Sequence, residues 1–264
     1  MAVHHLPHHA APFIGRTIEI TQITDRLNDP ACRLLTLIGP GGVGKTRLAL
    51  EITYQQAARF ADGVYFVPLQ PLEDANNIVT AIIDALPLQL TDNDDPYQRL
   101  LDYLSRRRLL LVLDNFEHLL SGVDIVIDIL NATTQVQLLV TSRERLNLQA
   151  EQVWPVTGLD IPVDMEDAPD AHSAVQLFVE RTRRVQPYFS LEHHKEQVIR
   201  ICRLVDGLPL ALELAAGWTR ILDCQAIADE VQHNIDVLIS NQRDMPERHQ
   251  SMRAVLDQDR KSVV

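Results

Sequence analysis

Gly39-Pro40-Gly41-Gly42-Val43-Gly44-Lys45-Thr46 constrains the fold more than any other stretch of the chain. It lies between an apolar run, Leu34-Leu35-Thr36-Leu37-Ile38, that suits a buried strand, and Arg47-Leu48-Ala49-Leu50-Glu51-Ile52, which opens a helical pattern. Strand, glycine loop and helix in that order aim several backbone N–H groups at one place. The unpaired donors and the dipole of the helix start then favour an anion there. Glycine is needed where a Cβ would block positive φ or the close approach of phosphate oxygens. The G-x-x-x-x-G-K-T spacing predicts that Gly39, Gly41, Gly42, Val43, Gly44 and Arg47 line a phosphate cradle. In that cradle Lys45 neutralises the β- and γ-phosphates, and Thr46 offers its hydroxyl to Mg2+. The alternative is a glycine-rich turn with a solvated lysine.

A length of 264 residues allows one large α/β domain and a smaller second one. Hydrophobic residues at 46% exclude a globally disordered chain, and aromatics at only 5% point to an aliphatic core of the kind found in parallel strands buried under helices. With 24 Lys and Arg against 36 Asp and Glu the net charge is −12, which repels a phosphate backbone and excludes nonspecific nucleic-acid binding by this segment. Arg106-Arg107-Arg108 precedes an apolar run and reads as a solvated boundary, with a local nucleic-acid contact as the alternative. Cys32, Cys202 and Cys224 have neither metal-ligand nor redox-pair spacing and read as reduced, buried thiols. No run is long enough to span a bilayer and no signal peptide opens the chain, so a cytoplasmic protein without a membrane partner is expected.

Residues 1–12, with His4, His5, His8 and His9 among Pro and Ala, read as a disordered leader, adventitious metal binding being the alternative. Ile18, Ile20, Ile23 and Leu27 recur at helical spacing up to Asn28-Asp29-Pro30. After the loop strand, Val64-Tyr65-Phe66-Val67, Leu109 to Asp114, Gln137 to Thr141 and Gln152 to Val156 read as four further strands. Helical patterns lie between them, over about 74–86, 97–104 and 117–130, and alternation of this kind implies a parallel sheet covered on both faces. Residues 13–158 are therefore expected to form the phosphate-binding domain, and the Pro- and Asp-rich stretch 159–170 a linker. Helical patterns at 174–185, 196–205, 208–218 and 224–238 place an all-helical domain over 171–243. Residues 259–264 continue no pattern and match the translation of a sequencing-adapter read. They read as an artificial tail on a truncated frame, the alternative being a natural polar tail.

Asp114 ends an hhhhD strand, which puts its carboxylate at the carboxyl edge of a parallel sheet, where it can hold Mg2+. Arg143, in Thr141-Ser142-Arg143 at the end of the next strand, can reach a γ-phosphate there; a capping serine beside a surface arginine is the alternative. In Gly207-Leu208-Pro209-Leu210-Ala211 the glycine suits a helix end and the proline a first helical turn, which is a sufficient structural reason for both.

Taken in order, Phe13-Ile14-Gly15-Arg16, the glycine loop, Leu110 to Asp114, Leu139 to Arg143 and Gly207 to Ala211 resemble the motif series of the NB-ARC ATPases, within the STAND class of signal-transduction ATPases. The resemblance covers about Pro12 to Gln258 and implies an α/β P-loop NTPase with a parallel five-stranded sheet flanked by helices, followed by a small all-helical domain. It implies an adenine-nucleotide switch, closed with ADP and opened by exchange for ATP, which then permits a nucleotide-dependent homo-oligomer. It puts Ile14 and Arg16 near adenine and ribose, Lys45 and Thr46 on phosphates and Mg2+, Asp114 on Mg2+, Arg143 on the γ-phosphate and Pro209 on adenine. Residues 244–258 look like the start of a winged helix that the chain does not complete. Many relatives carry a second acid directly after the aspartate, whereas here Asn115 stands and Glu117 follows two residues on. A neutral amide cannot take a proton from an attacking water. Glu117 is the alternative base, or else an acid favoured at a helix start. Weak ATP hydrolysis at best is therefore expected, in the core of a bacterial transcriptional or stress regulator. The competing expectation is an AAA-like remodelling ATPase with efficient turnover.

Overall fold

The computed structural model describes residues 4–7, 11–163 and 168–233. The expected winged-helix start at 244–258, the tail at 259–264 and the last turn of the final helix lie outside the described residues. The chain divides into two compact units. One comprises 1–11, 18–39 and 45–155; the other comprises 12–17, 40–44 and 156–264.

The first unit is built on a parallel sheet. Its strands are β1 (His4–His5), β2 (Leu34–Ile38), β3 (Val64–Pro68), β4 (Leu110–Asp114), β5 (Gln137–Ser142) and β6 (Glu151–Pro155), in the spatial order β1-β3-β4-β5-β2-β6. The five longer strands are the five expected, and each lies within a residue or two of its expected position. Continuous apolar runs are the signature of strands buried on both faces, and the burial follows. Leu34, Leu111, Leu113, Leu138 and Val140 face one side, and Leu35, Leu37, Leu110, Val112 and Leu139 the other; all have no exposed surface. On the first side they join Ile78 and Ile82 of α3 (Ile78–Ala85), Leu100 and Leu104 of α4 (Pro96–Ser105), and Ile125, Val126 and Ile129 of α5 (Asp124–Ala132). On the other side α2 (Lys45–Gln56) packs against β2 and β5. The start of α4 is set by Asp95, whose carboxylate accepts from the Tyr97 N–H at 3.0 Å, with Pro96 in the first turn.

One feature differs from expectation, and another is one on which the sequence offered no expectation. His4 and His5, expected in a disordered leader, pair in parallel with Val64 and Tyr65 as a short edge strand. In addition, β5 runs between β2 and β4, with Ile38 opposite Ser142 and Leu113 opposite Val140. The strand that ends in Asp114 is therefore not the neighbour of the loop strand. Strand order comes from long-range pairing, which local patterns do not encode.

The second unit packs α6 (Ser173–Val185), α7 (Leu191–Leu204), α8 (Pro209–Trp218) and α9 (Cys224–His233) around Phe178, Val198, Ile201, Leu212, Ala215 and Ile227. Leu159, expected at the start of a linker, is buried in this core, and its N–H donates to Gly207 O at 2.8 Å. Arg203 secures the next residues by donating to Pro162 O at 2.9 Å and Val163 O at 2.6 Å. Gly158 and Gly207 permit a close backbone approach, since a Cβ at Gly207 would lie 2.2 Å from Leu159 O and one at Gly158 would lie 2.0 Å from Asp206 O. Among the described residues no helix is long and apolar enough to cross a membrane.

Candidate functional site

In the first unit, several of the candidate side chains gather at the carboxyl ends of β4 and β5 and the start of α2. Lys45 and Thr46 open α2 directly after the glycine loop, so their positions follow from where the helix begins. The Lys45 ammonium, buried with its residue, donates to Gly39 O at 2.7 Å. Thr46 Oγ1 donates to Asp114 Oδ1 at 2.7 Å, which ties the start of α2 to the end of β4 across the intervening strand. Thr141 Oγ1, on β5, donates to the same oxygen at 2.6 Å and accepts from the Asn115 N–H at 2.9 Å. The sequence assigned Thr141 no role; a hydroxyl at the end of an apolar strand beside the Asp114 strand was the only signal for it.

Asn115 itself is left-handed, with φ of +71°. Asparagine tolerates this conformation better than most residues. The turn is followed directly by the 3-10 segment Phe116–Gly122, which carries Glu117. Glu117 Oε1 accepts from Arg143 Nε at 3.1 Å, and the two side chains are only 7% and 13% exposed. The other carboxylate oxygen, Oε2, is buried with no hydrogen-bond partner. The two residues expected to act on an attacking water and on a γ-phosphate are therefore engaged with each other.

In the second unit, Arg16 is buried at φ of +60°, and its Nη2 donates to Val43 O at 2.9 Å and Thr157 O at 2.7 Å. Gly15 beside it, at φ of +77°, leaves room that a Cβ would close, since that atom would lie 2.4 Å from Ser173 Cβ. Ile14 packs against the core of the same unit. The loop residues 40–44 belong here too. Gly42 O accepts from the Leu210 N–H at 3.2 Å, the Val43 N–H donates to Pro40 O at 3.4 Å, and a Cβ on Gly44 would lie 3.8 Å from Pro209 Cγ. Gly42 and Gly44 take φ of +75° and +93°, which other residues rarely adopt, so the glycines are required by the backbone itself. Gly41 lies between Pro40 and Gly42 in the same loop. Arg47 Nη2 donates to Ala11 O at 2.9 Å.

Residues 29–149 match a family model described as an AAA domain. A protein of Mycobacterium tuberculosis (strain ATCC 25618 / H37Rv), named as an HTH-type transcriptional regulator, is 36% identical over 227 residues, which are 85% of this chain and 24% of that protein. The chain thus spans about a quarter of the length of that relative. Among solved structures, a Walker-type ATPase of Pyrococcus abyssi superposes with a TM-score of 0.57 at 12% identity, over 83% of this chain and 71% of that one. A STAND protein with a tetratricopeptide repeat sensor from Pyrococcus horikoshii gives 0.51 at 15% identity, over 86% and 33%. The parallel five-stranded sheet with flanking helices and a helical C-terminal part is the fold of P-loop NTPases.

Proposed function

We propose that this chain is an adenine-nucleotide switch, the ADP- and ATP-responsive core of a signal-transduction or transcriptional regulator, with slow hydrolysis at best. The observation that carries the reading is the junction of the glycine loop with the sheet. Thr46, the last residue of the loop, shares a 2.7 Å hydrogen bond with Asp114 at the end of β4. A hydroxyl and a carboxylate brought together at the end of a positive-φ glycine loop are hard oxygen donors suited to Mg2+, and the loop amides with Lys45 suit a phosphate chain. The residues present therefore fit a nucleotide with its metal. Lys45 and the loop amides would hold the phosphates, and Thr46 and Asp114 the ion. Bound Mg2+ would neutralise charge between the β- and γ-phosphates.

The chain's own residues favour slow turnover. Asn115 occupies the position after Asp114 and holds no proton-accepting carboxylate. Glu117 accepts from Arg143 at 3.1 Å, and a carboxylate so paired is a poor base. Thr141 and Thr46 both donate to Asp114 Oδ1, so two hydroxyls orient the carboxylate proposed to face the metal. Slow hydrolysis suits a timer better than bulk work. The similarity to a protein named as a transcriptional regulator supports a regulatory setting, and assembly of a homo-oligomer on nucleotide exchange belongs to the same proposal.

Thermal unfolding without ligand, with ADP and with Mg-ATP tests it. A ligand about a hundredfold above its dissociation constant adds about 2.7 kcal/mol. ADP stabilisation with negligible phosphate release is expected, and Lys45→Ala should abolish the shift. A shift that survives Lys45→Ala unchanged would refute the phosphate placement. Phosphate release at about one per second or faster would favour a remodelling ATPase instead.

A further inference from the structure

Glu117 and Arg143 form a buried pair with an incomplete environment. Arg143 Nε donates to one carboxylate oxygen at 3.1 Å while the other, Oε2, has no hydrogen-bond partner and no exposed surface. A buried carboxylate with one oxygen unpartnered retains much of its desolvation penalty, so the pair is held less firmly than a fully bonded one. Arginine binds phosphate oxygens at least as well as carboxylate, through the same planar fork. Both residues also follow closely in sequence on two residues bonded to each other. Glu117 lies three residues after Asp114, Arg143 lies two after Thr141, and Thr141 is bonded to Asp114 at 2.6 Å.

From this geometry we infer that Glu117 sets the preference between ADP and ATP by competing with a γ-phosphate for Arg143. The inference rests on the nucleotide-switch reading. With ADP bound there is no γ-phosphate, and Arg143 stays on Glu117. With ATP bound the terminal phosphate draws the guanidinium away, which costs the Glu117 pairing and lowers ATP affinity relative to ADP by that amount. The same exchange releases the Glu117 carboxylate only when a γ-phosphate is present. Glu117 is thus a specificity-determining residue that acts through Arg143, and no contact between Glu117 and ligand is needed.

Isothermal titration with Mg-ADP and with Mg and a non-hydrolysable ATP analogue, on the full chain, tests this. Glu117→Gln should tighten the analogue relative to ADP by about tenfold, within the usual range of coupling between sites. In an Arg143→Ala background Glu117→Gln should no longer change that ratio, which a merely structural role for Glu117 would not produce. A ratio unmoved by Glu117→Gln, or moved equally without Arg143, overturns the inference. Should Glu117→Gln fail to fold, the Arg143 Nε–H resonance of the unmodified protein replaces it. The signal should keep its ligand-free position with ADP and shift with the analogue; one position in all three states overturns the inference. If the unmodified protein binds neither nucleotide, the switch reading falls and this inference with it. If it binds both and the ratio stays fixed, only this inference falls.

Discussion

Thr141 ties the Asp114 carboxylate to the turn that follows it, because its hydroxyl both accepts from the Asn115 N–H and donates to Asp114 Oδ1. Thr141→Val keeps the shape and removes both bonds, taking one donor from the Asp114 carboxylate and the side-chain acceptor from the N–H of the left-handed Asn115. Loss of such buried bonds costs about 1–3 kcal/mol in denaturant unfolding. On the proposed reading, Mg2+ should also enhance nucleotide binding less in this variant, and Thr141→Ser should restore the enhancement; an enhancement unchanged in the valine variant would show that Thr141 does not position the metal-facing group. The cysteines lead to a separate expectation. Burial pushes the Cys202 thiol up to about 12 and Cys224 up to about 11, and burial with Asp29 nearby also raises Cys32. Since the thiolate is the reactive form, the native protein should resist a thiol reagent such as Ellman's at pH 8, and all three should react once it is denatured. Ionisation is easier in the unfolded chain, so the stability these thiols contribute is whole below about 8.5 and falls as pH climbs from there towards about 12. Rapid labelling of the folded protein would contradict their burial.

At the scale of elements, backbone strain and burial separate two glycines of the second unit. Gly207 ends α7's loop at φ of +63°, and a Cβ there would lie 2.2 Å from Leu159 O, a backbone atom that cannot swing aside. Gly207→Ala should therefore destabilise the helical unit by at least about 1–3 kcal/mol, the range for a non-glycine residue held left-handed. Gly217, inside α8, has nothing within 4 Å of the position a Cβ would take. Gly217→Ala should stabilise by about 0.4–1 kcal/mol through the unfolded chain. Calorimetric midpoints moving in opposite directions are expected, and a neutral Gly207→Ala would rule out the tight approach to Leu159. The elements themselves were largely legible. Leu34 to Ile38 and Leu110 to Asp114 are near-continuous apolar runs, and Asp95-Pro96 announces a helix start by side-chain chemistry alone. Arg106-Arg107-Arg108 lie exposed between α4 and β4: Arg107 Nη1 reaches Asp62 Oδ1 at 2.9 Å, and the Arg108 N–H donates to Asp62 Oδ2 at 2.7 Å. Those two bonds, the backbone one foremost, hold the Asp62 carboxyl below its ordinary range. The insertion of β5 between β2 and β4, the edge pairing of His4–His5 and the Glu117–Arg143 pair were not legible. Each joins residues at least two dozen positions apart, and local periodicity carries no information about which distant partner wins.

For the whole molecule, the consequential fact is that the two units interleave in sequence. Gly39 and Lys45 count with the sheet, while the five residues between them count with the helices, as do Pro12–Thr17. Motif reading assigned the entire glycine loop to the phosphate-binding domain, because a motif is recognised as one string and its residues are not sorted by what they pack against. Each unit nevertheless has its own core, one over the sheet and one within α6 to α9. On the proposed reading, a ligand on the loop amides would act on the helical unit through two bonds. Gly42 O accepts from the Leu210 N–H at 3.2 Å, and Arg16 donates to Val43 O at 2.9 Å, so ordering the loop also orders the first turn of α8 and the Arg16 segment. Hydrogen exchange with and without saturating ADP should then show added protection in peptides covering 39–50 and, in the same experiment, at 208–214 and 13–17. Opening of a segment is suppressed when the bonds that close it are held by a ligand. Protection confined to 39–50 would mean that the loop moves without the helical unit, and that a nucleotide's presence is not communicated along this length of chain.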